Sequence, residues 1–275
     1  MNKHHRADED LYDPQYEDMD SDQPEFQDDE PTPPTRDRKW LTVMVSFGLA
    51  LVLLANGLAF FPQWFNLDVV KFLAKSNELS QRADIQQYKQ AIVIVRAGNN
   101  KGTGFHVVNP NDLDEYGYIL TNAHVIEGFT AVEVYGLDGD SYPAEVVVKD
   151  EIHDVAVLHI KDATVVPLER LSLVTQLEII EGQPIKVIGN PLVFNGIANE
   201  GFVGRNIQLV GSDQQVMSVQ APIYRGNSGS PVIAEDGKVV GMIFATSQIV
   251  ENGTSIKVGL AIPSSIIETL MSQLP

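Results

Sequence analysis

The chain has 275 residues, 44% of them hydrophobic, which is enough for one large domain or two small ones with appendages. A formal net charge of -18 excludes nucleic acid and anionic lipid surfaces as principal partners, because their phosphates are repelled. The chain has no cysteine, which excludes thiol catalysis, disulfides and cysteine-based metal sites; for an exported protein it also favours a bacterial source.

Residues 1–39 carry 13 acidic and 5 basic side chains and almost no aliphatic ones. Such a segment buries too little apolar surface to offset ordering entropy, so it is expected to be a disordered, solvated tail. Its His4-His5 pair carries no metal-site spacing. Residues 41–61, LTVMVSFGLALVLLANGLAFF, contain no charge and match the hydrocarbon thickness of a bilayer. Trp40 and Trp64 flank the run as an interfacial belt would, and Arg36, Arg38 and Lys39 precede it. The spacing predicts a single transmembrane helix, with the N-terminus cytoplasmic and the remainder extracytoplasmic. A cleaved signal peptide fits less well: the leader is long, and Phe60-Phe61 continue the apolar run where a polar segment is expected.

Beyond the anchor (40–64), residues 65–90 place Val69, Val70, Phe72, Leu73, Leu79, Ile85 and Tyr88 at helical intervals, as in a stalk or lead-in helix. From residue 91 to 275 the pattern becomes β-rich. AIVIV (91–95), GFHVV, YIL, AVEVY, AEVVV and VAVLHI form a first group, and PIKVIG, MSVQ, KVVGMIFA and IKVGLAI a second. Turn residues separate them, including Asp138-Gly139 and Asn252-Gly253. Many short strands at regular spacing predict a sandwich or barrels. The groups lie at about 91–165 and about 180–262, and 264–274 reads as a short helix.

Three local patterns carry chemistry. In RGNSGSP (225–231), glycines flank Ser228, and the turn they allow directs the Gly226 and Ser228 amides inward as an oxyanion hole. TNAHV (121–125) places His124 after a strand, where imidazole has the pKa of a general base. HDVAVL (153–158) brings Asp154 into an apolar strand, where it needs a partner and is suited to orient a histidine. Each pattern alone is a common loop, strand end or cap. Together, in the order His, Asp, Ser, they have the arrangement of chymotrypsin-type catalytic triads, brought together in a cleft between two small barrels. His106, His153 and His159 read as surface or packing residues.

GTGF (102–105), GYILTNAHV (117–125), DEIHDVAVLHI (150–160), VIGNP (187–191), IYRGNSGSP (223–231) and VGLAIPSSII (258–267) resemble, in order, the HtrA (Deg) serine proteases. The resemblance implies an all-β trypsin-like fold of two six-stranded antiparallel β-barrels with a short C-terminal helix. It also implies ATP-independent cleavage of exported or unfolded proteins, and a homotrimer. His124, Asp154 and Ser228 carry over as the triad, and Gly226 and Ser228 as the oxyanion hole. Two features depart from the family: only 12 residues follow Pro263, too few for a PDZ domain, and Ser230 replaces a glycine. GNSGSP is similar to the V8-type glutamyl endopeptidases, but no histidine follows His159, which counts against glutamate specificity; Arg225 leaves a small opening.

By the same resemblance, the substrate pocket maps to Ala221-Pro222-Ile223, Ile243-Phe244-Ala245 and Val258-Gly259-Leu260. Its expected lining is Pro222, Ile223, Phe244, Ala245, Gly259 and Leu260. None of these is acidic, so cleavage is expected after Val, Ala, Leu or Ile rather than Lys or Arg. The expected whole is a membrane-tethered serine endopeptidase with protein or peptide substrates, a lipid bilayer as its other partner, and no metal or cofactor. An inactive protease-fold binding protein and a processing or signalling protease dedicated to one partner are the alternatives.

Overall fold

The computed structural model describes residues 39–64, 67–108, 118–160, 169–173, 180–209, 211, 214–251 and 253–274, with side chains outside description over 54–68. Apart from Lys39, the acidic tail lies outside the described residues. The chain divides into two units, Met1–Phe60 and Phe61–Pro275. Helix α1 (Lys39–Trp64) occupies the apolar segment read as an anchor, and its side chains over 39–53 are exposed. Among the described residues, no helix is long and apolar enough to cross a membrane.

The second unit is built on two closed barrels. Strands β1 (Ile92–Ala97), β2 (Asn100–Val107), β3 (Tyr118–Thr121), β4 (Ala131–Gly136), β5 (Ser141–Asp150) and β6 (Val155–Ile160) close in the order β1-β2-β3-β6-β5-β4. Strands β7 (Pro184–Gly189), β8 (Ile197–Gln208), β9 (Gln215–Gln220), β10 (Pro231–Ala234), β11 (Val239–Glu251) and β12 (Thr254–Pro263) close in the order β10-β11-β12-β9-β8-β7. All named pairings are antiparallel, and closure removes the sheet edges. The all-β, two-barrel reading therefore holds, and Glu251 of β11 pairs with Thr254 of β12.

Strand alternation explains why apolar runs such as IVIV are buried on both faces. Val93 and Val95 fill the first barrel with Ile119, Val134, Ala156 and Leu158. Ile92 faces the other way, into a shared layer with Phe105, Ile188, Ile233, Met242 and Ile262. Ile185, Val187, Met217, Val219, Val232 and Ile243 fill the second barrel. Burying one such aliphatic side chain stabilises by roughly 1.5–3 kcal/mol, so the shared layer fixes the two barrels against each other.

The lead-in segment forms α2 (Leu67–Leu79) and α3 (Ala83–Gln90), both packed on the barrels. Leu79 and Ile85 enter the shared layer, with Tyr88 against it, and Phe72 meets the Tyr224 ring edge-on at 4.7 Å. Ser76 Oγ accepts the Ala198 amide at 3.0 Å. Helix α4 (Ser264–Met271) closes the same layer with Ile267 and Met271.

Candidate active site

His124 sits on a single 3₁₀ turn, Ala123–Ile126, whose other side chains are buried, so the imidazole alone faces outward. Asp154 holds His124 twice, at its ring and at its backbone. Its Oδ2 lies 2.7 Å from His124 Nδ1, and its Oδ1 accepts the His124 backbone N–H at 2.9 Å. Asp154 is left-handed, with φ +57°. Aspartate is among the few non-glycine residues that tolerate this region, and the conformation turns the carboxylate back toward the histidine. Its own carbonyl accepts Asn122 Nδ2 at 2.8 Å, tying the segments before His124 and at Asp154 together. The pair borders a cleft of about 310 Å³ that Glu127, Lys149 and Glu151 also line.

The turn delivering Asp154 is built by Asp150, a residue whose role the sequence did not announce. Asp150 Oδ1 accepts the backbone N–H groups of Ile152 and His153 at 2.8 and 3.0 Å, and its Oδ2 lies 2.7 Å from His153 Nδ1. His153, expected as a surface or packing residue, is partly exposed and is also a partner in this turn. Burial pushes the Asp150 carboxyl up, but the hydrogen bonds and charge of His153 and the Ile152 N–H outweigh burial and hold it below its ordinary 3.8. A depressed carboxylate pKa contributes stability that is present above the unfolded value and lost as pH falls through the folded value. Asp150→Asn is therefore expected to lower Tm at neutral pH, with the gap from the parent chain closing as pH falls to and below the ordinary carboxylate value of 3.8. Thermal melts across that range check it; a gap independent of pH would remove the charge from the account.

Ser228 lies on the turn between Arg225 and Ser230, which two glycines make possible. Gly226 has φ +99° and Gly229 φ +86°. A Cβ on Gly229 would also collide with the Thr103 carbonyl oxygen, so this position has neither conformational nor spatial room for a side chain. The Asn227 amide bonds to the Tyr224 carbonyl, the Gly229 amide to Ile243, and the Ser230 amide to Asn227. Among the described residues the Gly226 and Ser228 amides have no partner. The two donors expected of an oxyanion hole are thus unpaired among the described residues, as is the Arg225 amide.

Thr103 on β2 fastens the turn to the first barrel. Its N–H donates to the Ser228 carbonyl at 2.8 Å and its Oγ1 donates to the Gly226 carbonyl, also at 2.8 Å. The same hydroxyl accepts the Asn190 N–H at 2.9 Å. Asn190, fully buried, reaches Val93 O through Nδ2 and accepts the Gly196 N–H through Oδ1. The strings GTGF and VIGNP contain both residues, but nothing in the strings shows that they brace a turn far away in sequence.

Ser228 Oγ makes no hydrogen bond with His124 among the described residues; it lies 3.5 Å from the Phe244 carbonyl. That carbonyl is available because β11 bulges there: Ile243 faces Ala261 and Ala245 faces Leu260, leaving Phe244 outside the ladder.

The residues read as the substrate pocket separate into two groups. Pro222 and Ile223 line a pocket of about 430 Å³ with Gln220, Ala221, Tyr224, Ile256, Lys257 and Val258. A Cβ on Gly259 would touch Ile223 and Ile243, so Gly259 lies against this wall. Phe244, Ala245 and Leu260 instead join Val216 and Val258 in a satellite cluster. Lys257, which the sequence reading did not include, lies 5.7 Å above the Tyr224 ring.

The chain is similar to a probable periplasmic DegP-like serine endoprotease of Chlamydia pneumoniae, 34% identical over 63% of this chain and 34% of the relative. It is also similar to the serine protease Do-like HtrB of Bacillus subtilis, 32% identical over 61% of this chain and 37% of the relative. The chain therefore spans little more than a third of the length of these relatives. The crystal structure of the Rv3671c protease of Mycobacterium tuberculosis, inactive form, superimposes with a TM-score of 0.58 at 26% identity, covering 71% of this chain and 94% of that one. Residues 102–242, which run from the start of GTGF through the Ser228 turn, match the family described as the trypsin-like peptidase domain, and the chain belongs to that family.

Proposed function

We propose that this chain is a serine endopeptidase that cleaves exported or unfolded proteins while held at a membrane by residues 41–61. The observation that carries the reading is the Ser228 turn: among the described residues it leaves the Gly226 and Ser228 amides without partners, in a fold where Asp154 also holds His124 at its ring and at its backbone N–H. An Nδ1–H donated to Asp154 leaves Nε2 unprotonated to take the Ser228 proton as Oγ attacks the scissile carbonyl. The Gly226 and Ser228 amides receive the oxyanion, each such donor being worth about 3–4 kcal/mol. The imidazolium then protonates the leaving amine, and water resolves the acyl-enzyme by the same steps in reverse order. Catalytic hydrogen bonds are often long without substrate, which accommodates the present Ser228 orientation.

Membrane attachment is supported by the unbroken apolar run and by the exposure of Trp40, Leu41, Val43, Met44, Phe47 and Leu49 on α1. The N-terminal side is assigned to the cytoplasm by Arg36, Arg38 and Lys39.

The second reading is a protease-fold binding protein, which the contact of Ser228 Oγ with Phe244 rather than His124 favours. A fluorophosphonate probe separates the two: stoichiometric labelling of Ser228 in the folded chain is expected, and its absence supports the binding protein. For an active chain, the pocket walls formed by Ile223 and Val258 predict cleavage after Val, Ala, Leu or Ile, each buried methylene being worth about 0.8 kcal/mol. New termini in a digested, denatured proteome check this. A preference for Glu or Asp would shift the specificity to Lys257, and one for Lys or Arg would move the pocket elsewhere.

A further inference from the structure

Leu192 is left-handed, with φ +56°, a conformation that leucine rarely adopts. Burial of its own side chain does not hold it there, since Leu192 is 41% and Val193 84% exposed. Two polar contacts on its backbone do. Its N–H donates to the Arg225 carbonyl at 2.7 Å, and its carbonyl faces Lys101 Nζ at 3.4 Å. Lys101 Nζ also donates to Asn195 Oδ1 at 3.0 Å, so one side chain of β2 grips both ends of the segment from 192 to 195. Among the described residues Lys101 has no carboxylate partner; burial, then the like charge of Arg96, holds its pKa below the ordinary lysine value, as expected of an ammonium drawn from water toward these oxygens.

The Arg225 carbonyl matters because of the peptide it belongs to. In a trans peptide the C=O and the following N–H point in opposite directions. Holding the Arg225 carbonyl against Leu192 therefore aims the Gly226 N–H the other way, and that amide has no partner among the described residues. We infer that Lys101 is a positioning residue for the oxyanion hole: it locks Leu192 in its left-handed conformation, and Leu192 in turn locks the Arg225–Gly226 peptide. Lys101 acts from the first barrel on a donor in the second, and among the described residues its ammonium makes no hydrogen bond with the serine or the histidine.

The inference rests on the serine-endopeptidase reading, and the test keeps the two apart. The full chain and its Lys101→Met variant are titrated with a fluorophosphonate, and kcat and KM for a chromogenic peptide are measured per labelled site. Lys101→Met is expected to lower kcat about 10- to 100-fold with KM changed less than about twofold, because the lost interaction forms only with the oxyanion. Adding Leu192→Gly to that variant removes the conformational cost at 192 and is expected to restore at least several-fold of the lost kcat. Asn195→Ala, at an exposed loop position that folding tolerates, is expected to lower kcat in the same direction by a smaller factor. Wild-type kcat in Lys101→Met or, if that chain does not fold, in Asn195→Ala would overturn the inference, as would a loss expressed in KM or a double variant with no recovery. A parent chain whose Ser228 does not label would overturn the serine-endopeptidase reading and this inference with it.

Discussion

Ser228→Ala is expected to lower kcat by about 10⁶-fold while leaving the fold intact. The residual rate is that of a chain that still binds substrate and presents the Gly226 and Ser228 amides but lacks a nucleophile. The fold survives because the hydroxyl contributes little to it: the side chain is half-buried, and Oγ makes only a 3.5 Å contact with the Phe244 carbonyl. The backbone contacts of residue 228, including its carbonyl with Thr103, do not depend on the hydroxyl. Hydrolysis of denatured casein and a thermal melt check both halves. Casein cleavage within tenfold of the parent would remove Ser228 from the mechanism, whereas a collapsed melt would make the loss uninterpretable as chemistry.

Asp154→Asn is expected to cost about 10⁴-fold in kcat, also without unfolding the chain. Asparagine tolerates the left-handed region as aspartate does, so φ +57° is retained, and its carbonyl oxygen still accepts the His124 N–H. What changes is the second contact. An amide NH₂ opposite Nδ1 requires that nitrogen to accept, which places the imidazole proton on Nε2, where the serine proton has to go. Asp154→Ala differs: alanine at this φ costs about 1–2 kcal/mol and the His124 amide loses its acceptor, so both Tm and activity fall. Equal Tm values for the Asn and Ala variants would show that the conformational argument is wrong; wild-type turnover in the Asn variant would remove the tautomer argument.

The residues proposed as the triad could be singled out because each stands in a string whose chemistry is local: a base after a strand, an acid at a strand start, a serine between glycines. Ten of the twelve strands were legible for a similar reason, their β-branched runs being bounded by turn residues. The two missed strands have no such mark. β8 reads IANEGFVGRNIQ, glycine- and asparagine-rich, and is extended because β7 and β9 pair with it on either side. β10 is four residues long and begins with proline directly after the serine turn. The pocket shows a different limit. The resemblance supplied consecutive triplets, but a strand presents alternate residues to a face, so Gly259 meets Ile223 while Leu260 turns to the cluster with Val216. Lys101 and Leu192 were invisible because no residue pattern announces a left-handed leucine, and the lysine that holds it lies 91 positions away.

The packing of α2 and α3 changes where the folding unit starts. Along the sequence, the shift to β composition at residue 91 looks like a domain border, and the family match begins later still, at residue 102. Cooperativity draws the line earlier. A chain excised at Ala91 would leave a trough where Leu79 and Ile85 had been, strip the Tyr224 ring of Phe72, and expose an Ala198 amide with no acceptor. That amide alone represents roughly 1–3 kcal/mol. The two helices are the first course of the masonry on which both barrels stand, and a fragment that keeps these contacts starts no later than Phe72.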